Sequence, residues 1–197
     1  METILLHACC GPCSTVATPY FRAEGLEPLA FFANPNIQPP AEHDRRLQAM
    51  RDYAAAVGLE LVVETGAGAT EWAATAGRPS GLPAIGLPDS RERCRACLEV
   101  RLTEAAHAAA ARGLERFSTS LSVSPWQHHD LIARAGLAAA EAAGVEFVYA
   151  DLRRYYPRSI DESRRLGLYR QRYCGCDAGR WEVWHERRAR RARPATA

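Results

Sequence analysis

Short apolar runs alternate with longer amphipathic stretches along the first three quarters of the chain. The short runs predict five strands, at residues 3–8, 28–33, 59–63, 116–119 and 146–150. The longer stretches between them predict four helices, at residues 14–24, 41–57, 91–112 and 127–143. Regular alternation of strand and helix is typical of an α/β fold with right-handed crossovers, so we expect a five-stranded parallel, doubly wound sheet.

The remaining stretches are less regular. Residues 65–90 are rich in Gly, Ala and Pro, and we expect a short helix around Trp72 followed by a loop over 77–90. After residue 150 the pattern predicts a loop at 151–159, a short helix at 161–168, and a basic helix from 179 that frays near Arg193. We predict one α/β domain over 1–197, with a sheet core at 1–150 and a Cys-rich, Arg-rich C-terminal extension at 151–197 that packs on the active-site face.

Polar or cysteine-rich segments follow four of the five predicted strands. They are residues 9–13, 34–38, 118–124 and 151–158. Because ligands of parallel sheets bind beyond the carboxyl ends of the strands, we expect these segments to converge on one functional face. Gly11-Pro12 turns the chain into the first helix, which Ser14 is expected to cap.

Arginine supplies every basic side chain other than histidine. The 25 Lys and Arg residues are all Arg, which excludes a Schiff-base lysine and a P-loop lysine. Residues 1–150 hold 12 Arg and 17 acidic residues, a net charge of −5, whereas 151–197 hold 13 Arg and 6 acidic residues, a net charge of +7. This asymmetry predicts a basic C-terminal face that meets a polyanion such as a nucleic acid.

Neither an export signal nor a membrane span is expected. The start, Met1-Glu2-Thr3, has no basic region, and no window approaches the roughly 18 consecutive apolar residues of a span. We therefore expect a cytoplasmic protein without membrane contact, whose thiols stay reduced.

The seven cysteines fall into three short clusters. They are Cys9, Cys10 and Cys13; Cys94 and Cys97; and Cys174 and Cys176. In a reducing compartment such spacings are typical of metal binding or catalysis rather than of disulfides. The middle pair is expected to share one face of the first turn of its helix, where the helix dipole and neighbouring arginines would lower the pKa of both thiols.

The number of thiols bears on the kind of metal. One zinc ion usually takes four ligands and would leave three thiols over, whereas a four-iron cluster with a second metal would use them better. Structural zinc, thiol redox chemistry and inert buried thiols all remain open from the spacing alone.

Together, these segments resemble the epoxyqueuosine reductases of the cobalamin-independent QueH family. The matching segments are 6–14 (Leu-His-Ala-Cys-Cys-Gly-Pro-Cys-Ser), 34–37 (Asn-Pro-Asn-Ile), 93–97 (Arg-Cys-Arg-Ala-Cys), 118–125, 151–154 and 168–176. The strand–helix order also resembles the nucleotide-binding fold of PP-loop (HUP-like) tRNA-modifying enzymes. Their phosphate-binding Ser-Gly-Gly-x-Asp-Ser turn is absent, and Cys9–Ser14 occupies its place, so we do not expect ATP use.

The resemblance implies an iron–sulfur oxidoreductase that completes queuosine biosynthesis. It would reduce the epoxide of epoxyqueuosine at the wobble position of tRNA with two electrons and two protons, and release water. The implied cofactors are a [4Fe-4S] cluster and an additional mononuclear iron, and the implied partners are tRNA and a small electron donor such as ferredoxin or flavodoxin.

The resemblance also gives the thiols expected roles. Cys9, Cys10, Cys94 and Cys97 would hold the cluster, and Cys174 and Cys176, together with Cys13, the second iron. Family members also carry Asp at the position of Cys13, which makes Cys13 an alternative ligand rather than an essential one.

Other site residues are expected on the same face. Candidate proton donors are His7, Asp151, Tyr173 and Asp177. Candidate contacts to the modified base and the tRNA are Asn34, Asn36, Ser120, Arg153, Arg154, Tyr155, Arg158 and Arg170. Each has a structural alternative: a histidine packed in the core, asparagines that form turns, or an aspartate that only orients a neighbouring arginine. Trp126 and Trp181 are expected to pack rather than to stack on bases.

Two other functions fit parts of the pattern. An iron–sulfur tRNA sulfur transferase on a PP-loop-like fold would share the fold but would need the missing phosphate-binding turn. A zinc-stabilised RNA-binding module without catalysis would share the thiols and the basic face, and its thiolate site would be colourless.

Overall fold

The computed structural model describes residues 1–64, 66, 70, 72 and 90–192, with the backbone alone at residue 90 and at 190–192. The loop expected over residues 77–89 and the frayed end expected near Arg193 lie outside the described residues. Trp72, around which we expect a short helix, is helical and buried.

The order of the elements follows the predicted alternation. The strands are β1 (Glu2–His7), β2 (Leu26–Phe32), β3 (Leu61–Val63), β4 (Arg116–Thr119) and β5 (Glu146–Phe147). The helices are α1 (Gly11–Ala23), α2 (Pro40–Val57), α3 (Ser90–Ala110), α4 (His129–Ala143), α5 (Tyr156–Arg165) and α6 (Asp177–Ala192). Two 3₁₀ turns, Ser120–Val123 and Arg153–Tyr155, follow β4 and precede α5.

The sheet has the order β3-β2-β1-β4-β5, and every strand pair in the described part of the chain is parallel. This confirms the five-stranded parallel, doubly wound sheet expected from the sequence. The direction of winding reverses at β1, whose last residue, His7, pairs with Phe31 on one side and Thr119 on the other. Ligands of such sheets bind at this switch point, beyond the carboxyl ends of the two central strands.

The helices pack in two groups, as right-handed crossovers on either side of β1 require. Helix α1 packs against α2 and α5, and α3 packs against α4. Between them lies a core built on the apolar run of β1, in which Ile4, Leu5 and Leu6 have no exposed surface. Among the described residues, no helix is long and apolar enough to cross a bilayer.

The first helix begins earlier than predicted. Helix α1 starts at Gly11, with Pro12 in its first turn, where proline's fixed φ suits a helix and its missing N–H costs nothing. Cys10 is the N-cap residue, and its side chain makes no capping bond. The predicted cap at Ser14 is therefore wrong: Ser14 lies inside the helix, and its hydroxyl donates to the Cys10 carbonyl at 3.0 Å.

Two further differences concern the C-terminal half. Strand β5 ends at Phe147, so the predicted strand over 146–150 is too long. Helix α5 begins at Tyr156, within the predicted loop, because Pro157 again occupies a first helical turn. The prediction that Trp126 and Trp181 pack is wrong, since they are 81% and 47% exposed.

Candidate metal centre

The turn between β1 and α1 carries three buried thiols. The Sγ atoms of Cys9, Cys10 and Cys13 all lie within 4.8 Å of one another, and those of Cys9 and Cys10 are 3.6 Å apart. The extended backbone at Cys10 and the immediate start of α1 bring Cys13 back toward the other two. We refer to these three residues as the thiol triad.

The geometry of the triad fits a metal ion. A tetrahedral ion with metal–sulfur bonds of about 2.3 Å holds its thiolates about 3.8 Å apart. The 3.6 Å between Cys9 and Cys10 matches this spacing with little rearrangement. Gln171, from the segment before α6, directs its side-chain amide to the Cys10 sulfur at 2.9 Å, so the triad also has a hydrogen-bond donor beside it.

A second group of thiols lies just before α6. Cys174 and Cys176 have their sulfurs 3.6 Å apart, and the backbone N–H of Gly179 donates to the Cys176 sulfur at 3.3 Å. Gly175 between them has a φ of +136°, and a Cβ there would lie 2.7 Å from the side-chain nitrogen of Asn36. Glycine therefore lets both sulfurs lie on one side of a tight turn.

Helix α3 contributes the third group. The charge of Cys174 acts on both Cys94 and Cys97, so the α3 thiols and the Cys174–Cys176 pair share one electrostatic environment. Burial, and then the charge of Cys174, raise the pKa of Cys94 to about 11. Burial likewise raises the pKa of Cys97. The predicted lowering of these pKa values is wrong, because Arg91, Arg93 and Arg95 are engaged by carboxylates and burial outweighs their charges.

The other two groups each hold one acidic thiol. A hydrogen bond from Cys10, and then one from Cys13, keeps the pKa of Cys9 well below its ordinary value. A hydrogen bond from Cys176 lowers the pKa of Cys174 to about 6, and the same contact raises the pKa of Cys176. One thiolate in each group is thus stabilised by its neighbours before any metal binds.

A buried arginine lies between the thiol groups. Arg101 is 3% exposed, stands one turn after Cys97 on α3, and donates to the side-chain oxygen of Asn34 at 2.7 Å. Asn34 in turn donates to the carbonyl of Ala8, next to the triad, at 2.9 Å. None of the ion pairs in the described part of the chain involves Arg101, and its charge contributes to lowering the pKa of Cys9 and of Cys174. We expect it to compensate the negative charge of a thiolate-bound metal.

A second buried arginine fixes the turn that carries Cys174. Arg46, on α2, is 1% exposed and donates to the backbone carbonyls of Tyr173 and Cys174, each at 3.0 Å. Its Nε donates to the buried carboxylate of Glu42 at 2.8 Å, and the Tyr169 hydroxyl donates to the other oxygen at 2.6 Å. This network ties the segment before α6 to the core.

The predicted site residues closest to β1 surround the triad. Ser120 accepts from the backbone N–H of Cys9 at 3.3 Å, and Asn34 bridges Ala8 and Arg101. Asn36 is buried, and its side-chain oxygen has no hydrogen-bond partner among the described residues. The segments after β1, β2 and β4 thus converge as predicted.

His7 is fully buried at the end of β1. Its Nδ1 lies 2.9 Å from the Thr119 hydroxyl. Burial, helped by the charge of Arg101, lowers the pKa of His7 to about 3, so the imidazole is neutral near pH 7.

The other three candidate proton donors occupy different surroundings. Tyr173 donates its hydroxyl to the carbonyl of Gln38, and Arg46 lies over its ring. Asp177 opens α6 beside Cys176 and has one buried oxygen without a partner in the described part of the chain. Asp151 is exposed and bonded to Arg153, and that hydrogen bond lowers its pKa to about 2.

The predicted RNA-contacting residues of the C-terminal segment are mostly exposed. Arg153 is paired with Asp151, and Arg154 lies over the ring of Tyr155, which packs against the core. Arg158 and Arg170 are exposed, and neither has an ion-pair partner among the residues described. Among the described residues, no hydrogen bond joins this group to a cysteine sulfur, and its contact with RNA stays a prediction.

Four residues that belong to the site are absent from the sequence-based set. They are Glu42, Arg46, Arg101 and Gln171. Arg46 is spaced i, i+4 and i, i+7 from the buried Met50 and Tyr53, and Arg101 is spaced i+4 and i+7 from Cys97 and Cys94. A charged side chain that falls on the buried face of a helix is the sequence signal that could have identified Arg46 and Arg101.

Replacing Gly179 by alanine should disturb the second thiol group. A Cβ there would lie 2.6 Å from the Cys174 sulfur. Helix propensity alone favours alanine by roughly 0.5–1 kcal/mol, so the change should leave α6 formed while displacing the thiol. We expect Gly179→Ala to weaken metal binding about tenfold, measured by metal analysis of the purified protein. Ala178→Ser, which adds one atom to the neighbouring residue, serves as the control; equal metal content in both variants would contradict the expectation.

Comparison with known proteins gives a consistent set of relatives. A family model described as epoxyqueuosine reductase QueH matches residues 4–181. The epoxyqueuosine reductase QueH of Dehalococcoides mccartyi is 37% identical over 179 residues, which are 91% of this chain and 93% of the relative. The protein of that name from Thermotoga maritima is 34% identical over 182 residues, 89% of each chain. The one from Staphylococcus epidermidis is 32% identical over 179 residues, 88% of this chain and 74% of the relative.

A solved structure shares the fold. It is described as a predicted subunit of tRNA methyltransferase from Methanocaldococcus jannaschii and aligns with a TM-score of 0.51 at 12% identity. The alignment covers 80% of this chain and 74% of that one. At this identity the likeness concerns the fold alone.

Proposed function

Because the chain belongs to the epoxyqueuosine reductase QueH family, we propose that it reduces epoxyqueuosine in tRNA to queuosine at the face where its three cysteine groups meet. Membership makes it an oxidoreductase of queuosine biosynthesis. The observation that carries the proposal is the thiol triad, which stands at the switch point of the sheet, where related folds bind their ligands.

Thiolate donor sets fit iron as they fit zinc, and the reduction carried out by the family favours iron, because zinc has no redox chemistry. Cys9, Cys10 and Cys13 would hold one centre, and Cys174 and Cys176, with the α3 thiols Cys94 and Cys97, a second. The grouping of Cys13 with Cys9 and Cys10 supports this division over the one expected from the sequence, in which Cys13 joins the C-terminal pair. When bound, a [4Fe-4S] cluster and a mononuclear iron would supply single-electron relay and a Lewis acid for the epoxide oxygen.

The reaction consumes two electrons and two protons, breaks both bonds to the epoxide oxygen, and releases that oxygen as water. Tyr173, which directly precedes Cys174, is the proton donor we favour. Asp177 follows Cys176 but is paired with Arg180, as Asp151 is with Arg153. Burial, with the charge of Glu42, raises the pKa of Tyr173 to about 12, so it keeps its proton until the reaction takes it. The ionised Asp151 and the buried, neutral His7 are less suited to donate.

The tRNA would contact the exposed basic residues of the C-terminal segment. Arg158 and Arg170 are free to meet phosphates, and Asn34, Asn36 and Ser120 lie nearer the triad, where the modified base would enter. Binding through phosphates should weaken steeply with added salt. A tRNA substrate also implies a cytoplasmic enzyme, and two single-electron transfers imply a small donor such as ferredoxin or flavodoxin.

One experiment tests the function directly. The protein is purified without oxygen, its iron and sulfide are measured, and it is given tRNA that carries epoxyqueuosine together with a reductant. We expect a brown protein that converts epoxyqueuosine to queuosine, detected by mass spectrometry of the digested tRNA. A colourless protein that contains only zinc, or a brown one that leaves epoxyqueuosine unchanged, would overturn the proposal.

Arg101→Met should weaken the metal centre by removing the buried charge among the thiols. Loss of a residue that supports metal ligands typically costs about 10–100-fold in affinity or activity, and we expect an effect in that range. Arg101→Lys keeps the positive charge and should retain most of the iron. Iron content and turnover of the two variants are the measurements, and an equal loss in both would mean that packing rather than charge is responsible.

A further inference from the structure

Helix α6 carries an exposed aromatic stripe. Trp181, Trp184, His185 and Arg188 are spaced i, i+3, i+4 and i+7, which places them on one face of the helix. The two indole rings have centroids 5.6 Å apart, and the His185 ring lies 4.4 Å from Trp181 and 4.9 Å from Trp184. Arg188 lies over the Trp184 ring at 5.3 Å. We call these four residues the α6 stripe.

The described part of the chain leaves the stripe uncovered. Trp181 and Trp184 are 47% and 50% exposed, whereas Trp72 is 6% exposed in the core. Side chains from Trp184 to Ala189 are all exposed. Two adjacent, half-exposed indole rings form an apolar surface patch, and such patches are typical of interaction sites.

The stripe leads away from the metal centre. Helix α6 begins at Asp177, directly after Cys176, and Arg93 on α3 bonds Glu182 at 2.6 Å. With a rise of about 1.5 Å per residue, Trp181 lies about 6 Å and Arg188 about 16 Å along the helix axis from Asp177. A molecule bound at the thiols and longer than one nucleotide would reach the stripe.

The charge around the stripe favours an anion. Arg187 borders one side of it and Arg188 lies within it, whereas Arg180 on that side is paired with Asp177 at 3.3 Å. On the other side the charge of Glu182 is offset by Arg93, which leaves Glu186. Stacked aromatic rings combined with guanidinium groups are typical of surfaces that bind unpaired RNA bases and their phosphates.

We propose that the α6 stripe binds the tRNA substrate, by stacking of Trp181 and Trp184 on unpaired bases next to the modified nucleotide while the neighbouring arginines contact phosphates. This inference rests on the proposed function and adds a docking surface to it. The match to the family model covers residues 4–181, so Trp184, His185 and Arg188 lie beyond the matched residues.

The test compares tRNA binding by two variants of the full protein. In the first, Trp181 and Trp184 are both replaced by alanine; in the control, Leu137→Ala removes an apolar side chain that is 61% exposed on α4. Affinity for fluorescently labelled tRNA carrying epoxyqueuosine is measured by anisotropy. Loss of aromatic stacking should weaken binding about tenfold or more in the double variant, raise its KM for tRNA in parallel, and leave iron content unchanged. The control should bind as the unsubstituted protein does, and replacing both tryptophans by phenylalanine should preserve most of the affinity.

Three results would overturn the inference. Unchanged tRNA affinity in the double variant would mean that the stripe does not bind tRNA. Sedimentation in which the unsubstituted protein is a dimer and the double variant a monomer, with equal tRNA affinity, would assign the stripe to a second copy of the chain. A raised KM for the electron donor alone would assign it to that protein. In each of these cases the unsubstituted protein would still reduce epoxyqueuosine. A wrong role for the stripe can therefore be distinguished from a wrong proposed function.

Discussion

Cys9→Ser should remove most of the iron of the proposed metal centre and lower the rate of epoxyqueuosine reduction more than about 100-fold. Cys9 is the triad thiol with the lowered pKa, and it is held by Ser120 through its backbone N–H. A hydroxyl at this position keeps the volume but is a poor ligand for iron. Because residues that only support ligands cost about 10–100-fold when lost, a ligand should cost more.

The measurement is iron and sulfide content together with turnover on tRNA carrying epoxyqueuosine. Thr15→Ser is the matched control, because Thr15 is buried near the start of α1 and a serine hydroxyl can keep its 2.7 Å bond to the Pro12 carbonyl. A Cys9→Ser protein with full iron and full turnover would remove Cys9 from the metal centre. Circular dichroism of each variant separates loss of metal from loss of fold.

Arg46→Met should destabilise the fold more than any other single arginine change that we describe. It leaves the carbonyls of Tyr173 and Cys174 without their donor and Glu42 without its buried partner. Breaking a buried ion pair costs about 3–5 kcal/mol in free energy of unfolding, or about 6–20 °C in Tm for a domain of this size. The displaced turn should also lose the Cys174–Cys176 pair as ligands.

Arg45→Met is the control that separates the effect of losing a buried ion pair from the effect of losing an exposed one. Arg45 bonds the same carboxylate of Glu42 at 2.9 Å, but its side chain is 57% exposed, against 1% for Arg46. Exposed ion pairs contribute about 0–1 kcal/mol, so its Tm should change little. Thermal unfolding of both metal-free variants gives the comparison, and equal shifts would mean that the network around Glu42 does not anchor the turn.

The order of strands and helices could be predicted from the sequence because it depends on local patterns of apolar and polar residues. The run Ile4-Leu5-Leu6 predicts a buried strand without knowledge of its neighbours, and parallel topology then places the turn at Cys9 beside Ser120. The start of α1 was missed because the preference of Pro12 for a first turn outweighed the capping tendency of Ser14.

The interior of the site could not be predicted in the same way. Arg46 reaches Cys174 across 128 positions of sequence, and Arg101 reaches Asn34 across 67. Such contacts follow from how α2 and α3 pack, which periodicity leaves undetermined. The pKa of Cys94 shows the same limit, because its local sequence is rich in arginine while its burial, which outweighs those charges, is a tertiary effect.

The network of Glu42, Arg46 and Tyr169 also sets an order of assembly during synthesis. The triad leaves the ribosome early, whereas Cys174 and the turn that Arg46 holds are made some 160 residues later. At about 5–20 residues per second, the first thiols wait on the order of 10–30 s for the last. During that interval the triad thiols lack the residues of the C-terminal turn. The proposed iron centre therefore requires that iron is delivered after this point, or that these thiols are protected from oxidation until the chain is complete.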